Sequence, residues 1–130
     1  MKTAYKAVLA ALWMAVAAAP ALAHHEIAGY DTDHPLVLNG VVRQFVWANP
    51  HVMLYVEVGQ AEDTRDVWTL EAGAVQALTR HGWNRDSLHR GDRIEVMLAP
   101  KLHATYSGRI LQVRRSDGRV LSVGMPSGAP

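Results

Sequence analysis

Residues 36–47 read LVLNGVVRQFVW, residues 51–58 read HVMLYVEV, and Ala48-Asn49-Pro50 lies between them. The first run is dense in β-branched and aromatic residues, which suit a pleated, half-buried surface, and Asn39-Gly40 interrupts it where a bulge or bend would sit. Proline presets one backbone angle and asparagine tolerates unusual ones, so residues 48–50 are turn chemistry and the chain reverses there. The second run alternates, with Val52, Leu54, Val56 and Val58 on one face and His51, Met53, Tyr55 and Glu57 on the other. Two antiparallel strands with an aliphatic inner face make the fold mainly β.

Downstream, residues 60–65 are a polar loop, and residues 66–71 (DVWTLE) predict a third strand with Trp68 and Leu70 on one side. The period then changes. Over residues 72–81, Ala74, Val75, Leu78 and His81 fall near one helical face, and Gly82-Trp83 has the form of a glycine C-cap with its hydrophobic contact. After polar residues 84–90, Gly91-Asp92 turns into a fourth strand at 93–99, with Ile94, Val96 and Leu98 inward. Residues 100–108 form a loop holding Lys101, His103 and Tyr106. A fifth strand at 109–116 points Leu111 and Val113 inward, and the hairpin signal Asp117-Gly118 leads to a short sixth strand at 119–123. Three strands, a helix and two more strands is the order of the OB-fold, a small Greek-key barrel. The expectation is a five- or six-stranded OB-like β-barrel over residues 36–123, with one helix between strands three and four. The same elements also fit a β-sandwich or an open sheet.

Upstream, Lys2 and Lys6 precede an unbroken small and apolar run at residues 7–19, ended by Pro20 and followed by Ala21-Leu22-Ala23. That run is too short for a bilayer span of about 20 residues but fits a secretory signal peptide over residues 1–23, cleaved before His24. A soluble bacterial periplasmic or secreted protein is expected, without membrane insertion after cleavage. Residues 24–35 are polar, rich in Asp and His and without period, an extended N-terminal arm. The Gly/Pro/Ser-rich tail at 124–130 is expected to be disordered.

The chain has 130 residues, no cysteine, 13 Lys+Arg and 12 Asp+Glu. Disulfides, thiol nucleophiles, iron–sulfur clusters and thiolate zinc sites are thereby excluded. Loss of Lys2 and Lys6 leaves eleven basic against twelve acidic residues, a net charge of −1, so no footprint for nucleic acid remains.

Seven histidines carry most of the chemical interest. Cleavage before His24 would free its amine beside His25, and an amine, an amide nitrogen and an imidazole suit Cu(II). Asp31, Asp33 and His34 follow and could complete a site for Zn(II). The turn sequence Trp47-Ala48-Asn49-Pro50-His51 places an indole, an amide and an imidazole at the mouth between the first two strands, where OB barrels bind ligands. Equally, those residues could serve only to shape a corner. Met53 and Tyr55 on the outer face, with His103 and Tyr106 on the loop after the fourth strand, lie on or beside the same face. Glu57 and Glu71 could act as paired carboxylates, although strand glutamates more often meet water or arginine. Trp83 with Ala74, Val75 and Leu78 reads as core. Arg109, Arg114, Arg115 and Arg119 read as a solvated basic hairpin. No nucleophile elbow, zinc-protease motif, phosphate loop or cofactor fingerprint occurs.

His24-His25, Leu38-Asn39-Gly40-Val41-Val42, Trp47-x-Asn49-Pro50-His51, Trp68-x-Leu70-Glu71, Leu78-x-Arg80-x-Gly82-Trp83 and Gly91-Asp92 together resemble a secreted proteobacterial family, the domain of unknown function numbered sixty-one fifty-two. The resemblance spans nearly all of residues 24–123. It implies the compartment and a single barrel and supplies no activity. Where the family reads His-His-Ser, this chain has Glu26 after His25.

Two functions remain open. One is a non-enzymatic binding or accessory module that takes copper or another divalent metal, Cu(II) or Zn(II), through His24, His25, His51 and His103. The other is a metal-free OB-type module holding a small molecule, peptide or envelope protein on a face bearing Trp47, Asn49, Met53, Tyr55 and Tyr106. Metal ligation needs neutral imidazoles and should fade as pH falls toward about 6, whereas aromatic contacts should not. A hydrolase or oxidoreductase has only the histidine count in its favour.

Overall fold

The structure, a computed structural model, describes residues 29–59 and 65–124. The expected signal peptide, His24, His25 and most of the tail lie outside these residues. The elements are β1 (Leu36–Val46), β2 (Met53–Val58), β3 (Asp66–Glu71), α1 (Val75–Arg80), β4 (Arg93–Pro100), β5 (Ser107–Arg115) and β6 (Val120–Ser122).

Strand β1 is shared. Its first half pairs antiparallel with β4, from Leu36 opposite Leu98 to Val41 opposite Arg93. Its second half pairs with β2, from Val41 opposite Glu57 to Val46 opposite Met53. Strands β2 and β3 form the next antiparallel pair, and β4 pairs with β5. Closure comes from a parallel contact, Thr69 to Glu71 of β3 beside Ser107 to Arg109 of β5. The result is a closed five-stranded mixed barrel of OB-like order, with β6 added along β5 and α1 between β3 and β4. Among the described residues no helix is long and apolar enough to cross a membrane.

The alternation of β2 and β4 is realised: Val52, Leu54, Val56, Ile94, Val96 and Leu98 fill the interior. Helix α1 closes the barrel with Leu78, and Trp83 packs beside it, both fully buried. Gly82 holds a left-handed φ of 83°, its N–H donates to the Thr79 carbonyl, and the Trp83 N–H donates to that of Leu78. This is a Schellman end, with Leu78 and Trp83 as its hydrophobic contact. The Trp83 indole N–H donates to the Ser122 carbonyl at 2.8 Å, tying the plug to β6.

Three expectations are corrected. The helix is shorter than residues 72–81: Ala74 is its exposed N-cap, and His81 is exposed beyond its end. Ala72 instead extends the sheet: its N–H donates to the Val52 carbonyl, and the Val52 N–H donates to that of Gly73. Asn39-Gly40 is not the bulge of β1, because both residues pair in register with β4 and the irregularity falls at Arg43, between Val42 and Gln44. Gly40 answers to space: a Cβ there would stand 2.5 Å from the Glu57 carbonyl oxygen and from Val56 Cγ1. In β5 the inward pair is Ile110 and Val113, with Leu111 half-buried, since the β4 register slips between Met97 and Leu98 and passes over Leu111. An extra residue reverses side-chain parity on either side of itself, which strict alternation cannot foresee.

Substituting Gly40→Ala should destabilise the barrel by about 1–3 kcal/mol, because the new methyl meets backbone that cannot retreat. Urea denaturation of the variant beside the parent checks this, and an unchanged midpoint would show that β1 and β2 can separate at no cost.

Candidate functional site

The mouth of the barrel lies where the β1–β2 turn meets the end of β3. Met53 and Glu71 are direct cross-strand partners there, as are Tyr55 and Thr69 one step along. Such partners have side chains about 5 Å apart on one face. Glu71 is the centre of the arrangement. One carboxylate oxygen lies 2.9 Å from His51 Nδ1, and the other accepts a 3.0 Å hydrogen bond from the Tyr30 hydroxyl. An ionised carboxylate only accepts, so Nδ1 of a neutral His51 ring carries the proton and Nε2 the lone pair. Arg109 stands beside Glu71 in the parallel register of β5.

Tyr30 reaches this place because its backbone is held. It bridges to Lys101, while the Asp31 N–H donates to the Pro100 carbonyl and the Leu102 N–H to that of Gly29, each at 2.8 Å. The arm thus crosses the base of the β4–β5 loop. Burial is the main reason that the Tyr30 phenol is pushed up to about 12, followed by its hydrogen bond to Glu71 and the charge of that carboxylate; Arg109 acts the opposite way.

The β4–β5 loop frames the other side. His103 and Tyr106 both adopt left-handed backbone, with φ of 59° and 51°, and both are exposed. The Tyr106 carbonyl accepts from the Thr69 N–H, and its ring meets Trp68 edge-on with centroids 5.6 Å apart. A hydrogen bond to the Asp66 carboxylate, and then the charge of that group, raise the Tyr106 phenol above its ordinary value.

The remaining sequence candidates divide. Trp47 is half-buried, packs against the core and meets Phe45 at 5.9 Å between centroids. Asn49 Oδ1 accepts from the Val75 N–H at 3.1 Å, so it satisfies a helix donor that Ala74 leaves without a side-chain cap. Asp31 and His34 come together at 3.1 Å on the surface. Glu57 and Glu71 are not a pair: Glu57 takes Arg65 at 3.2 Å and Arg43 at 3.9 Å, four residues along β2 from the partner of Glu71. Among the described residues no three His, Asp or Glu side chains form a group that could hold a metal ion. A metal at His51 or His103 would therefore take other ligand types or residues outside the described ones, where His24 and His25 lie. Tyr30 was not legible as a site residue, since it meets Glu71 across 41 residues of sequence.

Removing the phenol oxygen by Tyr30→Phe should cost about 1 kcal/mol near neutral pH. The raised phenol stabilises the fold fully below its unfolded value near 10, and this contribution is lost as pH rises toward about 12. Urea midpoints of parent and variant at about pH 8 and about pH 11 should therefore converge at the higher pH. A constant difference would show that the hydroxyl is not coupled to Glu71.

A family described as a family of unknown function, DUF6152, matches residues 11–109, about three quarters of the chain. No curated protein matches it at a significant level. Strands β1 to β4, the turn containing Asn49-Pro50-His51 and the β3 end bearing Glu71 all fall inside the matched span, which ends within β5, and the chain belongs to the DUF6152 family.

Proposed function

We propose that this chain is a non-enzymatic binding module of the bacterial periplasm, exported by the signal at residues 1–23, and that it takes a copper ion at the barrel mouth. The observation that carries this reading is the meeting of His51, Met53 and Glu71, with Glu71 bound to His51 Nδ1 and paired across the strands with Met53. Imidazole nitrogen and thioether sulfur favour copper over harder ions. A carboxylate on the second ring nitrogen is the arrangement that orients metal-binding histidines.

The arm supports the same reading. It leaves the described residues at Gly29, whose carbonyl is bound by the Leu102 N–H next to His103. His25 precedes the anchored Tyr30 by five residues, a reach of at most about 18 Å. On this reading the freed amine and imidazoles of His24 and His25 join His51, with His103 at the margin.

The test is Cu(II) and Zn(II) calorimetry on protein beginning at His24, beside a version with one alanine added in front. Copper binding in the sub-micromolar range is expected, weakened about tenfold or more by the added alanine and by His51→Ala or Met53→Leu in a folded barrel. Loss as pH falls toward about 6 should accompany it. Binding that ignores all three changes, or no binding, overturns the proposal.

A second reading has its own support. Tyr106 against Trp68 offers an aromatic face for a metal-free small molecule, peptide or envelope partner. A ligand captured equally well at about pH 5.5 and in the presence of a chelator would favour it.

A further inference from the structure

A second concavity lies at the other end of β2. It opens where β1 exchanges β4 for β2 as its partner, so that the end of β2 and the start of β4 part. The cleft measures about 600 Å³, within the range of small-molecule sites. Asn39, Gly40 and Val41 line it, together with Arg65, Arg93 and Arg114 against Glu57 and Glu95.

The two carboxylates are already engaged. Glu57 takes Arg65 at 3.2 Å, and Glu95 takes Arg114 at 3.4 Å. Arg115 borders the cleft but lies opposite Ile94 on the inner face of the sheet, where its guanidinium donates to the Ser87 carbonyl at 2.9 Å and pairs with Asp117 at 3.3 Å. The Arg93 guanidinium makes no ion pair or hydrogen bond with another described residue. On the outer face the lining thus has one more positive than negative side chain, and its guanidinium groups come from β4, β5 and the residue preceding β3. A planar carboxylate is satisfied by a single fork, whereas a phosphate presents oxygens in several directions and takes donors from several strands at once.

We propose that this cleft binds a phosphate group, free or as a small phosphomonoester, through Arg93, beside Arg65 and Arg114 held in place by Glu57 and Glu95. The site is separate from the copper reading and does not depend on it.

The experiment follows backbone amide resonances of the purified exported protein during titration with inorganic phosphate, with glycerol 3-phosphate and with citrate. Saturable shifts at Gly40, Ile94 and Ser116 are expected with one or both phosphate probes, the tighter of the two identifying the source. Arg93→Gln should weaken that binding about tenfold or more, and His51→Ala should leave it unchanged. The proposal fails if neither phosphate probe saturates, if citrate binds more tightly than both, or if Arg119→Gln weakens binding as much as Arg93→Gln. Glu62 and Asp63 lie in sequence between Gly59 and Arg65, so a Glu62→Gln, Asp63→Asn variant is titrated alongside. Saturation in that variant alone would assign the guanidinium groups to the chain's own carboxylates and overturn the proposal.

Discussion

The barrel closes over three residue pairs, Thr69 to Glu71 beside Ser107 to Arg109, and both the mouth and the interior depend on that short parallel seam. Parallel pairing is somewhat weaker per residue than antiparallel. Gly108 at the centre of the seam also lies tight against β4 on its other side. A side chain there would strike Leu98 Cδ1 and stand 2.8 Å from the Ala99 carbonyl oxygen. With the seam in place, Leu70, Leu98 and Ile110 meet in a dry interior. Glu71 is delivered between the β1–β2 turn on one side and Arg109 on the other.

The two ends of β2 have opposite chemical character for a shared topological reason. A long strand that serves two partners leaves an opening wherever one partner stops. At the Met53 end the opening is covered by the arm through Tyr30, which places a phenol and an imidazole on one carboxylate. At the Glu57 end the described residues leave the cleft open and lined by guanidinium groups. The two proposed sites thus sit at opposite ends of one strand.

The strand order, the position of the helix and the core of β2 and β4 could be read from alternation and turn residues, because those signals are local. What could not be read has a common cause. The bulge at Arg43 and the slip over Leu111 depend on how partner strands curve, and Gly40 is explained only by Glu57, its neighbour across the sheet. Asn49 looked like turn chemistry and is that, yet its side chain also serves a helix donor 26 residues away. His51, Met53 and Tyr55 were visible as an outward row, whereas Glu71 acquires its importance from Tyr30, which no spacing rule connects to it.

The sharing of β1 also bears on when the molecule can form. Its first half pairs with β4, so Leu36 waits for Leu98, 62 residues later in the chain. The seam waits for Ser107 to Arg109. Contacts of such long range make folding slow, because loop closure must precede any reward from pairing. While synthesis proceeds, a β1–β2–β3 meander stands with an open edge and an uncovered aliphatic face. A barrel of this order is thus completed only when nearly the whole chain is present.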